Sequence, residues 1–200
     1  MRYAPILLLL LLSITANAQK DWELKKSNEG IKVYTKDNPI SDFKAFRGIT
    51  ILDFDMDEIH KVLTDYDHHP EIFPLNEESY LIEKKEGEYT VHYSMIDSPW
   101  PIDDRDGVYK TEYKFGEQKR LYKISSVNGF VPEKEDVVRI KESETQWELE
   151  VLPDEKVKVV YTVFAEPGGD IPSWLANSAI IDQPYDTLIA LKKRLQSEAK

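Results

Sequence analysis

Gly168-Gly169-Asp170-Ile171-Pro172-Ser173-Trp174-Leu175-Ala176-Asn177, with the apolar-striped segment that follows it, decides the fold. The two glycines punctuate the run of strands before them. Pro172 suits a first helical position, where its missing N–H costs nothing. Asp170 lies close enough to favour the positive end of a helix dipole. Leu188, Leu191 and Leu195 continue an apolar stripe, and Lys192, Lys193 and Arg194 suit a helix C-terminus. Pro184 interrupts the pattern, so a kink or break is expected there. A helix after Pro172, placed last behind a series of strands, is expected to lie across a sheet and close a cavity.

The strands upstream read clearly. Trp22 to Lys26 and Ile31 to Thr35 flank the turn Asn28-Glu29-Gly30. Lys44 to Leu52 sets Ala45, Arg47, Ile49 and Ile51 on one face and Phe46, Gly48, Thr50 and Leu52 on the other. Asp55 or Asp57 can cap a helix in which Ile59, Val62, Leu63 and Tyr66 recur at helical spacing. His69-Pro70 ends or bends that helix. Tyr80 to Lys85, Tyr89 to Asp97, Val108 to Phe115, Arg120 to Val127, Val137 to Glu142, Thr145 to Leu152 and Val157 to Phe164 then form an expected antiparallel ladder. Gln146, Glu148 and Glu150 make a polar face, opposite Trp147, Leu149 and Val151. One wet face and one aromatic face is the pattern of a sheet that something covers.

Met1-Arg2, the apolar run Ile6 to Leu12 and Ala16-Asn17-Ala18 read as an export signal over residues 1–18, cleaved after Ala18. The apolar run is too short to span a bilayer as a helix. The mature chain, residues 19–200, is expected to be one domain, periplasmic or secreted. The chain has no Cys, so neither disulfides nor thiol chemistry are available. Its formal charge is −11, and losing Arg2 with the signal makes it −12. Such a surface repels nucleic acid and anionic headgroups, so nucleic-acid binding is disfavoured, and it favours a soluble monomer. Brief membrane contact through an apolar rim stays open.

The order of these elements resembles the START domain, the StAR-related lipid-transfer family. Trp22-Glu23-Leu24 with Gly30-Ile31-Lys32-Val33-Tyr34 looks like its opening strands. Val62-Leu63-Thr64-Asp65 looks like the end of its first internal helix. Pro99-Trp100-Pro101-Ile102-Asp103-Asp104-Arg105-Asp106 looks like its Pro-rich loop, and Ile171 to Asn177 like the start of its lid helix. The resemblance implies an α+β helix-grip fold, a curved antiparallel sheet wrapped around a long C-terminal helix. It implies a tunnel for one lipid or other apolar molecule, and binding or transfer rather than chemistry. The wider superfamily includes polyketide cyclases and aromatases, so an enzyme built on the same cavity is the alternative. Sterol-handling members carry a buried acid–arginine pair at positions matched here by His92 and Thr111, neither of which keeps the charge.

The candidate ligand-binding residues are His92, Arg105, Tyr109, Thr111, Tyr113, Trp147, Tyr161 and Trp174. The aromatic members bury large apolar area while keeping a polar tip, and any one of them alone reads equally as core. Arg105 is expected to pair with Asp103, Asp104 and Asp106; pointing inward, it would suit a phosphate or carboxylate. His92 could orient a ligand's polar end. Asp65-Tyr66-Asp67-His68-His69 reads as a solvated helix end rather than a metal site. No cofactor is implied, and there is no G-x-S-x-G, H-E-x-x-H, P-loop or G-x-G-x-x-G pattern.

Overall fold

The structure, a computed structural model, describes residues 21–199. The expected export signal and its cleavage point lie outside the described residues. The chain opens with β1 (Glu23–Asn28), β2 (Ile31–Asn38) and β3 (Ser41–Leu52). Glu29 and Gly30 join the first two with φ of 50° and 78°, the two-residue turn whose twist matches paired strands. On β3, Phe46, Thr50 and Leu52 are buried and Ile51 is exposed, the alternation expected for a half-covered strand.

Helix α1 (Met56–Leu63) follows. Asp55 is its cap: its Oδ1 accepts from the backbone N–H groups of Asp57 and Glu58, both at 2.8 Å, while Glu58 Oε2 accepts from the Asp55 N–H at 2.8 Å. This reciprocal box satisfies donors that the helix leaves free. The helix ends earlier than its periodicity suggests, because a separate 3₁₀ turn (Tyr66–Glu71) takes over, with Pro70 inside it. Tyr66 and His69 of that turn are buried, so the expected solvated end is half wrong: His68 is outside and paired with Asp65, and His69 is inside.

The remaining strands are β4 (Asn76–Lys85), β5 (Tyr89–Ile96), β6 (Asp104–Phe115), β7 (Lys119–Ser126), β8 (Val137–Arg139), β9 (Glu142–Val151) and β10 (Val157–Glu166). The sheet runs β1-β2-β3-β10-β9-β7-β6-β5-β4. Pairing of β3 with β10 joins the first hairpin to the last, so one curved sheet carries nearly the whole chain. The stretch from Val137 is not a full rung of the antiparallel ladder. Only three residues pair there, parallel to the start of β6, and β7 pairs directly with β9.

Two helices end the chain, α2 (Ser173–Ala179) and α3 (Asp182–Glu198). The expected break lies at Ile180-Ile181, and Pro184 sits in the first turn of α3, where no intrahelical bond is lost. The cover is α3 rather than the helix that directly follows Pro172. Tyr185, Leu188, Leu191 and Leu195 are buried on α3, each leucine contributing about 1.5–3 kcal/mol. No residue of α2 is buried. It lies outside, tied to the sheet by Asn177, whose Oδ1 accepts from the Lys44 N–H at 3.0 Å and whose Nδ2 donates to the Asp42 carbonyl at 2.9 Å.

Gly48 is where α3 comes closest to the sheet. A Cβ there would stand 2.8 Å from Leu188 Cδ1 and 3.4 Å from Pro184 Cβ. Leu188 is fully buried and has no room to yield. Gly48→Ala is therefore expected to lower stability by about 1–3 kcal/mol, the usual cost of overpacking. Urea denaturation measures it, and an unchanged midpoint would contradict this docking of α3.

Candidate ligand cavity

Strand alternation builds the wall. On β5, Val91, Tyr93 and Met95 turn outward into a small second core with Val108. His92, Ser94 and Ile96 therefore turn inward. On β6, Tyr109 and Thr111 share that inward face, with Tyr109 directly opposite His92. A Cβ on Gly107 would stand 2.3 Å from the Tyr109 ring, so this glycine is what lets the ring lie back along its own strand. Trp147 of β9 and Tyr161 of β10 are register partners and stack with centroids 4.1 Å apart.

These side chains line a partly open cavity of about 160 Å³. Leu63, Tyr66, His69 and Phe73 close it from the α1 side, and Gln183 of α3 is the exposed residue on its border. Among the described residues that line it there is no Asp, Glu, Lys or Arg. An apolar cavity of about 150 Å³ accommodates a molecule the size of benzene, so a cavity of this volume holds one ring or a slim chain. That is less than the roughly 300–1,000 Å³ usual for drug-sized ligands.

The polar groups of the wall are neutral. His92 stacks on Tyr66 at 4.4 Å and meets His69 edge-on at 5.5 Å. Burial holds the His92 imidazole well below its ordinary range, and His69 lies close enough to push the same way. Burial also lowers His69 to about 4, although its Nε2 donates to the Leu63 carbonyl at 3.1 Å. The Tyr109 and Tyr161 hydroxyls are pushed up by burial. All four groups are uncharged at neutral pH. Three buried side-chain atoms of residues that line it have no hydrogen-bond partner among the described residues: Asn76 Oδ1, His92 Nδ1 and Thr111 Oγ1.

Of the residues singled out in the sequence, the structure brings together His92, Tyr109, Thr111, Trp147 and Tyr161. Tyr113, Arg105 and Trp174 stand apart, for three reasons. Tyr113 is screened by a triangle of hydroxyls, in which Tyr66 and Thr90 meet at 2.5 Å and contact the Tyr113 hydroxyl at 3.1 and 2.8 Å. Arg105 is buried at the end of the sheet beside Gly169, where it donates to the carbonyls of Asp103 and Gly168. Its expected ion pairs do not form among the described residues, because Asp106 is taken by Arg139 and Asp104 accepts from the Ser98 N–H. Trp174 is 72% exposed, because α2 packs outside the lid.

Tyr66, His69 and Phe73 were not singled out as wall residues. Their spacing of three and four places them on one helical face, a signal hidden by the dense polar residues between them. Asn76 carried no signal, since it stands at the start of a strand whose neighbours Glu77 and Glu78 are exposed. Among the described residues no cluster of His, Asp and Glu could hold a metal ion.

No family model matches the chain. An uncharacterised protein of Pseudomonas aeruginosa is 34% identical over 174 residues, 86% of this chain and 86% of that one. The mouse phosphatidylcholine transfer protein is 27% identical over 165 residues, 80% of this chain and 76% of its own. Among solved structures, the StAR-related lipid transfer protein of Xanthomonas axonopodis superimposes with a TM-score of 0.82 at 35% identity, covering 88% of this chain and 99% of that one.

Proposed function

This chain belongs to the StAR-related lipid-transfer (START) family, and from that premise we propose that it binds, and carries between membranes, one lipid or other hydrophobic small molecule. The observation that carries this reading is the cavity between the aromatic face of the sheet and α3, with its uncharged wall. Burial of apolar ligand surface at about 25 cal/mol per Å² supplies affinity. A volume of about 160 Å³ requires α3 or the loops at the sheet end to move for uptake of anything longer than a short chain.

Those loops carry the exposed apolar side chains. Trp100 is 92% exposed, Trp174 72% and Phe130 43%. The segments after Ser98 and around Val138 and Gly168 meet at Arg105 and Gly169. Ile96, Ile140 and Ala165, on the same end of the sheet, line the cavity. Transient membrane contact at this rim suits a chain whose acidic charge works against durable docking. Export, directed by residues 1–18, would place this exchange outside the cytoplasm.

An enzymatic use of the cavity finds no support in the wall, where His92 faces aromatic rings and no carboxylate orients it. Native mass spectrometry of gently purified protein, followed by solvent extraction, tests the carrier reading. The expected result is a bound mass that extraction removes. Protein that is always empty and takes up none of a broad lipid panel would overturn it.

A further inference from the structure

Five of the nine exposed large apolar side chains among the described residues belong to one end of the sheet: Ile40, Leu75, Trp100, Phe130 and Trp174. The antiparallel order puts their segments there. Strands β2, β5, β7 and β10 run toward this end, and β3, β4, β6 and β9 start from it. Ile40, in the turn between β2 and β3, is 90% exposed, and Leu75, just before β4, is 57% exposed. Leu75 also has a φ of 65°, a conformation that costs a bulky residue energy. The five come from five separate segments rather than from one packed face. A bilayer interface accepts such spaced anchors, tryptophan above all, whereas a protein partner needs a packed core of contact.

The charges between these anchors restrict the bilayer. Asp42 follows Ile40, Glu77 follows Leu75, Asp97 and Asp103 bracket Trp100, Glu135 and Asp136 follow Phe130, and Asp170 precedes Trp174; all are exposed. Lys44, Lys134 and Lys141 stand at this end too, but are already taken by Asp37, Glu78 and Glu133 at 2.6, 3.5 and 3.0 Å. Among the described residues, none of the carboxylates beside the anchors has a salt bridge. At the other end of the sheet the signs are mixed, and Lys84, Lys85, Lys119 and Arg120 each pair with a carboxylate. The protein therefore presents an acidic end wherever it presents its apolar anchors. An anionic leaflet repels that end and turns it away. The outermost charge of a phosphatidylcholine headgroup is an ammonium, which attracts it.

Resting on the carrier reading above, we infer that this rim docks on zwitterionic lipid surfaces without net charge and is excluded from anionic ones. The charge of the bilayer then decides where cargo is exchanged. One charge brought close to an anionic leaflet changes affinity about fivefold, an effect that fades within a Debye length.

Flotation of the purified protein at neutral pH and low salt tests this, with vesicles of phosphatidylcholine and with vesicles of phosphatidylcholine and phosphatidylglycerol in equal parts. The parent is expected to float with the neutral vesicles and to bind the anionic ones at least about tenfold more weakly. Added salt is expected to narrow that gap, because exposed charges are screened. Trp100→Ala with Trp174→Ala is expected to lose flotation on neutral vesicles with an unchanged urea midpoint, since both side chains are exposed. Asp103→Lys with Asp170→Lys is expected to strengthen binding to the anionic vesicles at least about tenfold. Equal or tighter parental binding to the anionic vesicles overturns this inference alone, as does a preference that salt does not reduce or full flotation of the double tryptophan variant. A parent that floats with neither vesicle, yet holds an extractable ligand by native mass spectrometry, overturns the docking inference and leaves ligand binding standing. A parent that floats but never holds or takes up a lipid overturns the carrier reading instead.

Discussion

Asp106→Ala is expected to destabilise the protein by about 3–5 kcal/mol, the cost of leaving a buried charge without its partner. The side chains of Asp106 and Arg139 are 1% and 3% exposed. Arg139 Nε donates to Asp106 Oδ1 at 2.6 Å and Nη2 to Oδ2 at 2.9 Å, a fork that fits a carboxylate on both sides. The hydrogen bond to Asp106 holds the guanidinium pKa above its ordinary value against the opposing effect of burial. Arg139 also donates to the carbonyls of Val131 and Pro132 at 3.1 Å, and the Tyr93 hydroxyl donates to Asp106 at 3.1 Å. One ion pair thus joins β5, β6, β8 and the loop that covers the outer core of Val91, Tyr93 and Val108. Replacing Asp106 alone leaves the guanidinium buried beside carbonyls that satisfy only part of it. Asp106→Leu combined with Arg139→Met removes both charges and is expected to cost much less than either single change. Urea midpoints for the single and double variants measure the difference. A loss under about 1 kcal/mol for Asp106→Ala would show that this network does not hold the sheet end.

The fold was legible because the strands alternate so regularly. Trp147, Leu149 and Val151 against Gln146, Glu148 and Glu150 announce a covered sheet without any knowledge of what covers it. The pairing of β3 with β10 was not legible, because nothing local marks contacts between residues as distant as Gly48 and Tyr161. The role of α2 was misread for a similar reason. Pro172, Trp174 and Leu175 form a good helix start, but the decision between lid and outer strap lies in Asn177 and its bonds to Asp42 and Lys44. The acid partners of Arg105 illustrate a further limit. Proximity in sequence favoured Asp106, yet β8 brings Arg139 to that carboxylate from 33 residues away. Within the cavity, strand parity located Tyr109, Thr111, Trp147 and Tyr161, while the wall formed by the 3₁₀ turn followed no repeating pattern long enough to read. Tyr113 has the right parity and the wrong neighbour, since the Tyr66 hydroxyl stands in front of it.

Acidification from pH 7 to pH 4 is expected to remove about 3 kcal/mol of stability through His69 alone. The folded chain holds His69 near 4, while the unfolded chain takes up a proton near the ordinary 6.5. Between those values the unfolded state binds more protons, so stability falls as the pH falls. Above 6.5 the contribution is complete, and it is lost on the way down to 4. His92 acts in the same direction, held low by burial, with His69 pushing the same way and the rings of Tyr66 and Tyr109 on its other sides. Asp65 and Asp67 pull His69 upward, but burial outweighs them. Half-buried His60 adds to the loss, and exposed His68, raised by its bond to Asp65, opposes it weakly. Ion-paired carboxylates such as Glu150 and Glu198 are held low and give up their share only as the pH drops through the carboxylate range. The interval from 6.5 to 4.5 therefore isolates the histidines. Urea midpoints across it are expected to fall steeply for the parent and to flatten in a His69→Gln, His92→Phe double variant, in which Gln still donates to the Leu63 carbonyl. A parent midpoint that stays level from pH 7 to 4.5 would mean that both imidazoles take up protons in the folded state, and that the cavity wall admits charge after all.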